Sequence, residues 1–200
     1  MKPVAAILIM ATLVAFMAKA LAEEQKLIEE ETKPAQPTDA GGMAMWEKIY
    51  AVFSHPRCAN CHVEDARPRW SGPEFTITRV HGFNVQRGRD NHGTPGLRCN
   101  NCHSERNSQV LHAPPGAPKW RLAPAEMAWF GKSSAEICAQ IKDPGRTNGR
   151  GLDAIADHIR KDQLVAWGWK PGAGREAAPG SAEETFHAIE RWKAAGAPCP

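Results

Sequence analysis

Two pentapeptides, Cys58-Ala59-Asn60-Cys61-His62 and Cys99-Asn100-Asn101-Cys102-His103, each set two thiols three positions apart with an imidazole directly after the second. Thiols at that spacing can add across the vinyl groups of a porphyrin, and the adjacent imidazole then meets the iron from one side. The expected content is two covalently attached c-type haems. Cys58, Cys61, Cys99 and Cys102 would be the thioether sulfurs, with His62 and His103 as the proximal iron ligands. The competing reading is a zinc site, because the same four cysteines form two knuckles that could close a shell of four thiolates. That reading leaves both histidines without a role, and it suits a reducing compartment.

The far side of each iron decides the chemistry. A second imidazole gives a low-potential electron carrier, a thioether raises the potential, and an empty position permits ligand binding or catalysis. Four residues compete for these places. His81 lies in the loop that must wrap from one motif to the other, and His158 sits on the flank of a helical face made by Leu152, Ile155 and Ile159. Met127 occupies a loop rich in proline and aromatic residues, where gap-filling among Trp120, Trp129 and Phe130 is the alternative task. His55 precedes Cys58 by three residues, too close to serve its own haem but able to reach a neighbouring one. His187 points away from Phe186, Ile189 and Trp192 on its helix and should face solvent. His92 and His112 are loop residues to which the sequence gives no task.

These groups need elements to position them. Trp46, Ile49, Tyr50 and Phe53 recur at helical spacing, and His55-Pro56 ends the pattern just before the first motif. From Val63 to Arg98 breakers dominate, and only Phe75 to Val80 reads as a short strand. The segment from Asn107 to Phe130 carries Pro114, Pro115, Pro118 and Pro124, so its Trp120, Trp129 and Phe130 need a flat apolar partner, which a porphyrin face would supply. Helices return with a capping box at Ser133 and Glu136, then the Leu152 face, then a helix opened by Ser181 and Glu184 and closed at Gly196. The expected fold is mainly α with long irregular Pro/Gly-rich loops, dihaem cytochrome c-like, the haems forming much of the core. With 17 Gly and 16 Pro the chain would depend on covalent staples.

Residues 1–22 have a basic start, an apolar run and a small-residue end at Ala20-Leu21-Ala22, the pattern of a cleaved secretory signal; an uncleaved anchor is the alternative. Residues 23–42 read as a flexible acidic linker without fixed fold, and 43–200 as the dihaem domain, with the first haem around 46–98 and the second, with the C-terminal helices, in 99–200. A periplasmic location follows, without stable membrane insertion once the signal is removed. There Cys138 and Cys199, the two cysteines outside the motifs, would form a disulfide. The 25 basic and 22 acidic residues give a net charge of only +3, which carries no nucleic-acid signature.

The segments HPRCANCH, PGLRCNNCH, PPGAPKWRLAPAEMAWFGKSSAEIC and LVAWGWKPGAGREAAPG resemble a family of small exported proteins labelled as a subunit of isoquinoline 1-oxidoreductase. The likeness runs from Trp46 to Pro200. It implies association with a molybdenum hydroxylase, for which this chain would relay electrons; no cysteine is left over for an iron–sulfur cluster. His81 between two CxxCH motifs is also similar to the small dihaem subunit of periplasmic nitrate reductase. The expected function is therefore periplasmic electron transfer by two haems c, with a redox protein such as a molybdenum hydroxylase or another cytochrome as partner. The rival classes are a dihaem peroxidase-like enzyme and a haem sensor, each needing one open distal position.

Overall fold

The computed structural model describes residues 17–19, 21–25, 39–71 and 77–200. Most of the expected signal segment and acidic linker lies outside these residues. Within 1–36, a separate unit from 37–200, residues 17–19 and 21–25 are helical and exposed. Among the described residues no helix is long and apolar enough to cross a membrane.

The body is mainly helical. Helix α1, Asp39–Phe53, is followed by the single turn α2, Pro56–Ala59, and then by two minimal hairpins, β1 (Arg69–Ser71) with β2 (Thr78–Val80) and β3 (Gly93–Thr94) with β4 (Leu97–Arg98). After a long irregular segment come α3 (Ser134–Lys142), α4 (Leu152–Lys161), the short α5 (Gln163–Ala166) and α6 (Ala182–Ala194). Both hairpins are antiparallel, with Arg69 opposite Val80 and Gly93 opposite Arg98. Of the strand expected over 75–80, Thr78–Val80 form β2, while Phe75 and Thr76 lie outside the described residues.

Helix α6 is the centre of the core, packed on both α1 and α4. Trp46 and Trp192 meet with ring centroids 5.1 Å apart, and each indole N–H has a partner: Trp46 donates to Ser134 Oγ at 2.7 Å and Trp192 to the Pro198 carbonyl at 2.8 Å. A buried indole without such a partner would lose the worth of that hydrogen bond. Ser133 and Glu136 close the reciprocal capping box at the start of α3, and the Ser181 hydroxyl accepts from Glu184 N at the start of α6. The Cys138–Cys199 disulfide ties the C-terminal residues to α3, closing a separation of 61 residues. On the chain-entropy model such a loop contributes about 4 kcal/mol.

The linker boundary needs correction. Helix α1 begins at Asp39, four residues before the expected start of the domain, and Gly42 is buried in it. A Cβ on Gly42 would come within 2.7 Å of Pro198 and 2.8 Å of Ala195. Gly42, the last residue of the expected flexible linker, instead permits close packing of α1 on the chain's end.

Candidate functional site

Each CxxCH motif is a single helical turn built on the same two bonds. In the first, Cys61 N and His62 N both donate to the Cys58 carbonyl, at 3.1 and 3.2 Å; in the second, Cys102 N and His103 N both donate to the Cys99 carbonyl, at 3.2 and 2.9 Å. The turn gathers both sulfurs and the imidazole at one place. All four motif thiols are free, while the other two cysteines are paired.

The two imidazoles are held alike. His62 Nδ1 donates to the Met127 carbonyl at 2.8 Å, and its ring lies on Trp129 with centroids 3.6 Å apart and planes within 2°. His103 Nδ1 donates to the Pro115 carbonyl at 2.8 Å, and its ring lies on Trp120 at 4.3 Å and 6°. A carbonyl can only accept, so each Nδ1 carries the proton in the neutral ring and each Nε2 keeps its lone pair. Burial keeps the rings neutral: it pushes the His62 pKa down to about 3 and lowers that of His103. This is the tautomer a metal-binding imidazole requires.

The irregular segment 107–130 thus acts through backbone carbonyls and tryptophan faces. Within the chain Trp129 is sandwiched between His62 and Phe53, 4.2 Å from the latter, and Trp120 lies between His103 and the edge of Trp167. Each tryptophan thus has a motif imidazole as a flat partner on one face. Met127 contributes its carbonyl to His62, while its side chain packs against the hydrophobic core.

The remaining histidines sort by their partners. His81 follows β2, donates Nδ1 to the Gly82 carbonyl at 3.0 Å, and stands with its ring centroid 6.1 Å from that of His103. His158 on α4 has Nδ1 3.5 Å from Asp162 Oδ2 and lies close enough to His62 for its charge to be felt there. Burial, only partly offset by Asp162, lowers the His158 pKa. His55 caps α2, its Nδ1 accepting from Arg57 N at 3.2 Å. A neutral imidazole that accepts at Nδ1 carries its proton on Nε2, the opposite of a ligand's tautomer. His187 is exposed and paired with Glu183. His92, to which the sequence gave no task, donates Nδ1 to the Trp120 carbonyl at 3.1 Å and accepts from Cys99 N through its own carbonyl, bracing the second motif.

The pair His81 and His103 would suit a doubly ligated iron on geometric grounds. With metal–imidazole bonds of about 2.0–2.1 Å, two rings sharing one iron through Nε2 stand with centroids about 6 Å apart, and His81 and His103 stand at 6.1 Å. Among the described residues no three His, Cys, Asp or Glu side chains gather as a metal cluster would need, so the four thiols do not converge on a zinc tetrahedron. Burial also pushes the Cys58 thiol up to about 12 and that of Cys61 to about 11. Ala123 N donates to the Cys61 carbonyl and the adjoining Leu122 N to the carbonyl of Asn91, next to the His92 that braces Cys99, so one stretch of backbone joins the surroundings of the two motifs. Compared with family models, curated proteins and solved structures, the chain matches none.

Proposed function

We propose that the chain is a dihaem electron-transfer protein, with a first haem held by Cys58, Cys61, His62 and His158 and a second by Cys99, Cys102, His103 and His81. One observation carries the reading: His62, His81 and His103 each donate Nδ1 to a carbonyl, which leaves Nε2 as the nitrogen with a free lone pair, and His158 sets Nδ1 toward the Asp162 carboxylate at 3.5 Å. Bound haem supplies reversible one-electron chemistry between ferric and ferrous iron. The side chains do the rest. A second imidazole on each iron in place of a thioether sets a low potential and leaves no open position for a substrate. Met127 and His55 are accordingly not ligands in this scheme. The stacked Trp129 and Trp120 hold the proximal rings in one orientation, so little rearrangement accompanies a change of charge. The backbone of Leu122 and Ala123, bonded to Asn91 and to Cys61 between the two motifs, supports direct passage between the two centres. Exposed Cys102 makes the second centre the natural point of exchange with an external partner. From the resemblance noted above, that partner is a molybdenum hydroxylase or another cytochrome in the periplasm.

Optical spectra of the exported protein test this directly. Two covalent haems per chain, both low-spin, and no carbon monoxide binding on reduction are expected. A high-spin band, or carbon monoxide taken up by half of the haem, would overturn the carrier reading in favour of a peroxidase-like enzyme or sensor.

A further inference from the structure

Arg87 and Trp129 present two donors with nowhere to go. Arg87 Nε and Trp129 Nε1 are both buried and without a hydrogen-bond partner, and both residues adjoin the first motif. Trp129 stacks on His62, and the charge of Arg87 is felt at His62 and at Cys61. The rest of the Arg87 guanidinium is spent on Asn91 Oδ1 and on the carbonyls of Val63, Asp65 and Ala123, all neutral acceptors. No carboxylate lies within ion-pair distance of it among the described residues. The charges of Glu126 and Asp65 reach the guanidinium from beyond that distance, but the Arg87 Nε donor and the buried indole N–H still lack an acceptor, a cost that vanishes if an anionic one arrives.

We propose that Arg87 and Trp129 Nε1 form the carboxylate-binding site of the first centre, taking a propionate of the haem carried on Cys58 and Cys61. The proposal rests on the haem reading above. It gives Arg87 a task beyond that of a clamp between the Val63–Asp65 backbone and Ala123. As the counter-charge to a propionate, the guanidinium favours the ferrous state of that centre, because a bare carboxylate beside the iron favours the ferric one.

The test is the reduction potential of each centre in the haem-loaded protein, with the first identified as the one whose spectrum changes in His158→Ala. Arg87→Gln should move that centre alone toward the ferric state by about tenfold at fixed electrode potential, which is 59 mV for one electron. Trp129→Phe keeps the stack between His62 and Phe53 and deletes only the N–H; a shift in the same direction of about threefold is expected. Arg87→Lys, which keeps the charge, should stay near the parent value. In both Arg87→Gln and Trp129→Phe the propionate bending band in the resonance Raman spectrum should move, which loss of a purely structural clamp would not require. If Arg87→Gln fails to mature, Trp129→Phe decides alone. Unmoved potentials and bands with two haems bound would overturn this proposal and leave the haem reading intact. A chain that takes up no haem sinks both.

Discussion

The two CxxCH sites are built on one plan but placed in different surroundings. At the first, the His62 imidazole lies on Trp129, which is 4% exposed and continues through Phe53 into the α1–α6 core, and His158, the proposed opposing ligand, comes from the last turn of a packed helix. At the second, Trp120 is half-buried, Cys102 is exposed, and the opposing His81 precedes a turn in which Phe83 and Asn84 both have left-handed backbone, at φ 57° and 51°. Phe83 is 88% exposed. A bulky residue held at positive φ in solvent is strained, and nothing packs on it in return. The first centre is therefore part of the hydrophobic core and the second part of the surface. In a two-centre relay that division separates storage from exchange.

The largest effect that could break this comparison is on stability. Trp129→Ala removes the ring between His62 and Phe53, and about 3–5 kcal/mol should be lost. Trp120→Ala, at a half-buried site, should cost about 1–2 kcal/mol. Denaturant unfolding of both variants measures the difference. Equal losses would mean that the first site is no more part of the core than the second.

The proposed distal ligands come next. His158→Ala and His81→Ala should each convert one haem, and a different one, from low-spin to high-spin and open it to carbon monoxide. His92→Ala should convert neither. In the parent protein under mild denaturant, low-spin character should disappear first at the centre sensitive to His81→Ala, because a ligand beside a strained turn opens at lower cost than one on a packed helix. Loss at both centres together would erase the proposed asymmetry.

Much of this arrangement was legible in the sequence because it is local. The motif turns, the helix over Trp46 to Phe53, the two serine caps and the pairing of Cys138 with Cys199 follow from spacing, capping chemistry and an even remainder of cysteines. The supports of the imidazoles were not legible. Which carbonyl meets His62 depends on the register at which an aperiodic, proline-rich loop crosses the motif, and neither Met127 nor Pro115 advertises its carbonyl. The segment's tryptophans were a usable signal for a flat partner, but spacing alone did not say that His62 and His103 would each stack on one of them. Gly41-Gly42 misled for a related reason: the residues that make Gly42 a close-packing position, Ala195 and Pro198, lie at the other end of the chain. His92 and Arg87 were passed over because their roles rest on contacts across long separations.

The smallest effect concerns what stands behind the distal rings. His81 is backed by a carbonyl, whereas His158 faces the carboxylate of Asp162, which also receives Arg121 at 3.1 Å and caps α5 through Leu164 N and Val165 N. Burial opposes ionisation of Asp162, but the two backbone donors and the charges of His158 and Arg121 outweigh it and hold the carboxyl below its ordinary 3.8. A carboxylate behind an imidazole makes it a stronger donor to metal and favours the oxidised ion. Asp162→Asn keeps the helix cap, since asparagine caps as well as aspartate, and removes the charge. The potential of the first centre should then rise by a few tens of millivolts, with about 1 kcal/mol or less lost in stability, and the second centre should not move. The sign with pH follows from the depressed carboxyl: its contribution is complete above pH 3.8 and fades only as the pH falls through the lower folded value. Acid titration of the parent protein should therefore reproduce the Asp162→Asn shift only below pH 3.8, and in the variant that acid step should be missing. An equal shift at both centres would show that Asp162 acts as a distant charge and not through His158.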